Sequence, residues 1–244
     1  MRVTFFNFFY KAATKILLVT LSLIVALCAY AAFDAYLANG ESSSHKFDSY
    51  SNLEEAYQAC RSANDEVVGW VKLFDSGLSQ PIVQGEDNSY YLTHDVFKCD
   101  NVGGAAFLDY RDSDSYMKGI PVVYGHNMEH SSMFGSIKFY ETEQYFTRHI
   151  RGCLRTKIGW HNLQACALLK CSENECFIYN CFQNEGCEKA IQSSLLYAIC
   201  SVSDISSNDN LLALSTCTDS GLKRHILICK IGDIDSSLGR NKVN

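Results

Sequence analysis

The chain has 244 residues, 47% of them hydrophobic, and a formal net charge of -6. That length supports one well-packed domain plus an appendage, and the acidic balance excludes nucleic acid as the main partner, because phosphate binding needs a basic face. Only two prolines leave little room for a long disordered region, and fourteen tyrosines and fourteen phenylalanines among many Val and Ile suggest a strand-rich domain.

Ile16 to Phe33 is an apolar run broken only by Thr20 and Ser22, and Ala35 to Ala38 extends it past Asp34. It has about the length that a bilayer core requires, roughly twenty residues. Arg2, Lys11 and Lys15 precede it, whereas Asp34 and Glu41 follow with no basic residue before Lys46. Positive-inside logic therefore makes 1–15 a cytoplasmic N-terminus, 16–38 a transmembrane anchor and the rest extracellular. Ala29-Tyr30-Ala31 resembles a small-x-small cleavage site, so a cleaved signal peptide is the competing reading. Cys28 does not suit lipid attachment, because the preceding Leu27 is too bulky.

Residues 39–50, rich in Gly and Ser, read as a tether, and 51–244 as the extracellular domain. Ser51-x-x-Glu54 has the form of a capping box, opening a helix with Leu53, Tyr57 and Cys60 on its buried face. Val67 to Val71 and Pro81 to Val83 are short strands separated by a turn at Asp75 to Gly77. Asp87 to Leu92 is a polar start to a helical turn. Ala105 to Leu108 and Ile120 to Tyr124 are apolar runs suited to buried strands, and the second leads into Gly125-His126-Asn127-Met128. Two short helices, Ser131 to Tyr140 and Glu141 to His149, precede strands at Cys153 to Gly159 and Gln164 to Lys170. Cys187 to Ser201 reads as an amphipathic helix repeating Ile191, Leu195 and Ala198 on one side, and Asn208 marks a turn.

Leu211 to Cys217 is then a strand, with Ala213, Ser215 and Cys217 on one face and Leu212, Leu214 and Thr216 on the other. A turn around Gly221 leads to a second strand, His225 to Ile231, and the reversal brings Arg224 back toward the sulfur of Cys217. A cation fixed beside a thiol favours the thiolate and can hold an oxyanion. Among seven histidines, His126 stands out because its flanks fix it just past a strand end, as a catalytic group requires. His225 neighbours Arg224 but points to the opposite face. There is no nucleotide-type glycine loop, nothing calls for a cofactor, and the pattern predicts a mostly antiparallel barrel with added helices.

Tyr124-Gly125-His126-Asn127-Met128, Met133-Phe134-Gly135, Leu214-Ser215-Thr216-Cys217 and Arg224 together resemble a sortase of class B. Asn64 to Trp70, Pro81 to Gln84, Asp87 to Leu92 and Phe107 to Tyr110 match that class too, so the resemblance spans residues 50 to 232. It implies an eight-stranded sortase barrel with added helices behind a single N-terminal transmembrane helix. It also implies a cysteine transpeptidase that cleaves a C-terminal sorting signal after a threonine and passes the acyl group to a cell-wall or pilin amine. By position, Cys217 would be the nucleophile, His126 the acid and later the base, and Arg224 the oxyanion or substrate clamp. Asn88, Leu92 and Ser215 match positions that line the signal-peptide groove.

Two features depart from the class. The Cys217–Arg224 interval is short, which bears on the reach of the arginine, and there are twelve cysteines. Cys166, Cys171, Cys176, Cys181 and Cys187 recur about every five residues, a spacing that regular structure does not converge on one metal ion. Extracellular disulfides and buried free thiols both remain open. A wall-directed cysteine peptidase would share the thiol and the histidine, although the common folds of that kind place cysteine before histidine. A tethered cysteine-rich binding domain would need neither His126 nor Arg224.

Overall fold

The apolar run near the N-terminus lies within one long helix, α1 (Arg2–Gly40), of the computed structural model. The structure describes residues 2–40, 47, 49–112, 114, 116, 119–128, 133–172, 174–181, 187–202, 205–206, 208–218 and 221–243. Met1–Gly40 and Glu41–Asn244 are two separate compact units. In α1 the stretch Ala13–Phe33, 21 residues of mean hydropathy 2.6, is long and apolar enough to cross a membrane. The hydroxyls of Thr20 and Ser22 donate to the carbonyls of Leu17 and Val19 at 2.9 and 2.8 Å, so neither leaves an unsatisfied polar group in the run.

Among its described residues the second unit has nine strands: β1 (Val67–Leu73), β2 (Leu78–Val83), β3 (Ala106–Leu108), β4 (Val122–Tyr124), β5 (Arg151–Thr156), β6 (Gly159–Cys171), β7 (Ala198–Ser201), β8 (Leu211–Cys217) and β9 (Arg224–Ile234). The sheet runs β5-β1-β2-β3-β4-β8-β9-β6-β7, and a further β5–β6 pairing joins its ends. Eight strands thus close into the expected barrel, which leaves no free edge, and β7 is added on the outside of β6. Most pairings are antiparallel, while β2–β3 and β4–β8 are parallel. Three further helices, α2 (Leu53–Ala63), α3 (Glu143–Arg148) and α4 (Cys187–Leu195), flank the strands.

Alternation along the strands sorts the core. Leu212, Leu214 and Leu227 face the interior with Val71, Ile82, Phe134 and Leu168, whereas Ala213, Ile226 and Ile228 pack outside against Cys171, Cys176, Tyr179 and Ile191. A third cluster gathers Leu53, Tyr57 and Cys60 of α2 with Trp70, Trp160 and Phe47. Phe47 is fully buried and meets Trp70 edge-on at 5.1 Å, so the end of the expected tether is docked; 41–46 and 48 lie outside the described residues.

Several boundaries differ from expectation. Asn52, not Ser51, caps α2 by accepting from the Glu55 amide at 3.0 Å, and the Glu55 carboxylate accepts from the amide and hydroxyl of Ser51. Glu54 is turned instead to the indole N–H of Trp160. The two short helices after β4 are a 3-10 helix, Gly135–Glu141, and α3. The expected strand Cys153 to Gly159 is broken at residues 157–158 by a tight turn, and β6 already begins at Gly159. The expected helix Cys187 to Ser201 stops at Leu195, because Ala198–Ser201 gains a ladder of hydrogen bonds by pairing with β6.

β4 is held by a buried acid. The Asp112 carboxylate accepts from the Val122 amide at 2.8 Å, and burial, with Asp109 nearby, pushes its pKa up to about 7. A carboxyl whose pKa rises on folding costs nothing below its unfolded value. The cost grows as pH rises from about 4 to about 7, then stays constant. Asp112→Asn keeps a carbonyl acceptor for Val122 and removes the charge. We expect it to raise Tm above pH ~8, by roughly 2–4 °C for each kcal/mol relieved, and to change little near pH ~4. Thermal melts at the two pH values check this, and equal shifts at both would refute it.

Candidate active site

Strand register brings the sequence-predicted residues together. β4 and β8 run parallel with Tyr124 beside Ser215, and the Gly125 amide continues the ladder by donating to the Ser215 carbonyl at 3.0 Å. Two residues further along each strand line stand His126 and Cys217. On the other side of β8, the antiparallel pairing sets Cys217 directly opposite Arg224 of β9. His126, Cys217 and Arg224 thus occupy one row at the same end of the barrel, and cross-strand partners share a face. The Arg224 Nη1 donates to the Cys217 sulfur at 3.1 Å, so the short interval between the two brings the guanidinium onto the thiol. The hairpin that does this is closed by the Thr218 amide on the Lys223 carbonyl at 2.9 Å and turns through Gly221, whose φ of 69° suits glycine.

His126 is held from two directions. Its Nε2 lies 3.0 Å from the Leu92 carbonyl, and its own carbonyl accepts from the Phe134 amide at 3.1 Å. A carbonyl can only accept, so Nε2 carries a proton and Nδ1 is the nitrogen left to take one up. The preceding Gly125 is required by packing: a side chain there would meet the Phe134 ring at 2.6 Å. The glycine therefore lets Phe134 close under the histidine.

A buried polar chain runs beneath the row. Ser215 is fully buried and its hydroxyl lies 2.8 Å from the Tyr179 hydroxyl. The Tyr179 ring stacks on Tyr124 at 6.1 Å, and the Tyr124 hydroxyl donates to Asp109 at 3.0 Å. Asp109 takes a two-pronged contact from Arg111, at 2.9 and 2.7 Å. Burial works against ionisation of Asp109, but those donors win and hold its pKa below the usual carboxylate range. The carbonyl of the Asn88 side chain in turn accepts from the Tyr110 amide at 3.0 Å.

The structure thus gathers Leu92, His126, Cys217 and Arg224 directly and ties in Asn88 and Ser215 from below. Leu92 presents an exposed side chain, whereas the Ser215 hydroxyl is engaged by Tyr179 within the fold. Sequence reasoning did not single out Tyr179 or Arg111, although Arg111 directly follows the matched Phe107 to Tyr110. His225 points away from the row, as expected, with its Nε2 2.7 Å from Glu141. Among the described residues, no three His, Cys, Asp or Glu side chains gather to hold a metal, and no disulfide joins the cysteines whose side chains are described.

No family model matches the chain. It is similar to sortase B of Staphylococcus aureus, with 24% identity over 237 residues, covering 91% of this chain and 97% of that protein. It is also similar to sortase B of Listeria monocytogenes, with 26% identity over 158 residues and 63% of each chain covered. Among solved structures, the S. aureus sortase B–substrate complex superposes with a TM-score of 0.67 at 22% identity, covering 75% of this chain and 87% of that one. Clostridium perfringens sortase B gives 0.66 at 25%, covering 72% and 99%. With the barrel closed as in those structures and both curated relatives bearing one name, these findings support a class B sortase, a cysteine transpeptidase.

Proposed function

We propose that the chain is a membrane-anchored transpeptidase that cleaves a sorting signal after a threonine and joins the acyl group to a cell-wall or pilin amine. The observation that carries this reading is the single row of His126, Cys217 and Arg224. In it, the Cys217 thiol passes its proton to His126 as the sulfur attacks the threonine carbonyl; the scissile C–N bond then breaks, and its nitrogen leaves as an amine carrying that proton from His126. Arg224, already donating toward the sulfur, stabilises the oxyanion. The incoming amine then gives a proton back to His126 as it attacks the thioester. Asn88, Leu92 and Ser215 shape the floor of the peptide groove, Leu92 by its exposed side chain and the other two through the Asp109–Tyr124–Tyr179 chain. That S. aureus sortase B, which shares this fold, has been solved in complex with a substrate supports a substrate site here.

The test is a threonine-containing signal peptide supplied with and without an amine acceptor. The transpeptidase gives an amine-dependent ligation product. Hydrolysis untouched by amine would make the chain a peptidase instead, and no turnover of any peptide in a library would leave only a binding role.

The anchor reading assigns 1–15 to the cytoplasm, 16–38 to the bilayer and 51–244 to the outside, supported by the basic residues on one side of the run only. External protease on intact cells is expected to remove the catalytic domain. Protection of the domain together with an accessible N-terminal tag would reverse the orientation.

A further inference from the structure

The 3-10 helix Gly135–Glu141 reaches both outer members of the catalytic row. At its front, the Phe134 amide donates to the His126 carbonyl at 3.1 Å, and the Ile137 amide donates to the Phe134 carbonyl at 3.0 Å, so the helix opens directly behind the histidine. Its body is locked in the barrel interior, with Ile137 and Tyr140 fully buried in the same cluster as Leu214 of β8 and Leu227 of β9. At its far end, one oxygen of the Glu141 carboxylate accepts from the imidazole Nε2 of His225 and from the Lys170 ammonium, each at 2.7 Å. Lys170 and His225 face each other across the β6–β9 ladder, so this carboxylate bridges two strands.

The two contacts differ in weight. Lys170 and Glu141 are each more than a third exposed, and such a pair contributes little by itself. His225 is buried, with its side chain 5% exposed, so its ring is already fixed by packing when it meets the carboxylate. His225 is the second residue of β9 and Arg224 the first. Alternation sets their side chains on opposite faces. The imidazole therefore anchors the start of the strand from one face while the guanidinium meets the Cys217 sulfur, at 3.1 Å, on the other.

We propose that Glu141 is a positioning residue for the transpeptidase reaction. It holds the start of β9 through His225 and so places Arg224 on the sulfur, while the front of the same helix places His126. The spacing between the proton carrier and the oxyanion clamp is thus set by one short helix wedged in the barrel. Glu141 acts through Arg224 and not on the reacting atoms.

The inference takes the role of Arg224 from the proposed transpeptidase reaction, so its test includes one readout that needs no turnover. Glu141→Ala and Glu141→Gln are compared with wild type in ligation kinetics, and Glu141→Ala is repeated in the Arg224→Lys background. Glu141 lies at the surface, so its truncation leaves no sealed cavity, and melting temperatures check that the variants are folded. Glu141→Ala is expected to lower kcat about tenfold with KM nearly unchanged, because the arginine serves an oxyanion that exists only in the transition state. Glu141→Gln keeps an acceptor for the imidazole N–H and should stay within about threefold of wild type. Once Arg224 is lysine, Glu141→Ala should cost less than about twofold more, since the two residues act as one unit. Alkylation of Cys217 near neutral pH, followed by the mass of its peptide, should slow several-fold in Glu141→Ala, because the cation is no longer held on the sulfur. An equal fall in both backgrounds would make Glu141 a structural residue only and overturn the proposal, as would alkylation of Cys217 at the wild-type rate in Glu141→Ala. A wild-type chain that never ligates would instead sink the transpeptidase reading, and the alkylation comparison would still decide whether Glu141 places Arg224.

Discussion

Cys217→Ala is expected to abolish both the acyl-enzyme and the ligated product, a loss on the order of 10⁴ or more in turnover. In the proposed mechanism everything else in the row acts on the sulfur: Arg224 donates to it, and the proton traffic through His126 would begin when it attacks. Without it, those groups surround no nucleophile. The fold should survive the change. Cys217 is the last residue of β8 and only half-buried, so removing its sulfur leaves no sealed cavity, and its ladder to Arg224 is made by backbone. Circular dichroism and melting temperature should stay close to wild type while mass spectrometry finds no peptide-linked enzyme. Ligation at the wild-type rate by this variant would move the nucleophile elsewhere.

The next largest effect is expected from Arg224→Lys. Lysine keeps the charge but loses the planar fork of donors, so it cannot hold a developing oxyanion and a neighbouring carbonyl together. If the arginine served only to favour the thiolate, the lysine variant would remain active. If it shapes the oxyanion site, turnover should fall on the order of 10²–10³, the scale of one lost donor. Alkylation of Cys217 should then change little, since it responds to charge more than to geometry. We expect the second pattern, because the 3.1 Å contact of Nη1 with the sulfur already holds the guanidinium where an oxyanion formed by attack of that sulfur would develop. A lysine variant that ligates within a few-fold of wild type would transfer the oxyanion to backbone N–H groups near Cys217.

What could be read from the sequence was whatever local pattern decides. The strand Leu211 to Cys217 alternates so regularly that its two faces could be assigned before any partner strand was known, and the core divides accordingly. The flanks of His126 likewise fixed a histidine at a strand end. What escaped depends on partners far along the chain. Ala198 to Ser201 continues the helical repeat of Ile191 and Leu195, and only the exposed ladder of β6 draws it into a strand. The turn at residues 157–158 has Gly159 as its one signal, so two strands of a hairpin looked like one and a gap. The helix cap slipped by one residue because Ser51 and Asn52 are both good caps, with a glutamate three residues beyond each. Tyr179 sits in a stretch with no periodicity at all, and only the fold reveals its grip on Ser215.

The order of strands around the barrel has a consequence for how the enzyme comes into being. The ring runs from β4 through β8 and β9 to β6, so the last hairpin of the chain fills a slot left between two elements made long before it. A nascent polypeptide that has emerged only as far as β6 has a wall with a vacancy two strands wide, and the vacancy lies where the chemistry will be. His126 is already present, but the thiol and the guanidinium arrive together on the insert. Such late, sequence-distant pairing is the slow part of folding. A partly synthesised chain is therefore chemically mute: it can neither cut its neighbours nor acylate itself until the final hairpin snaps into the wall.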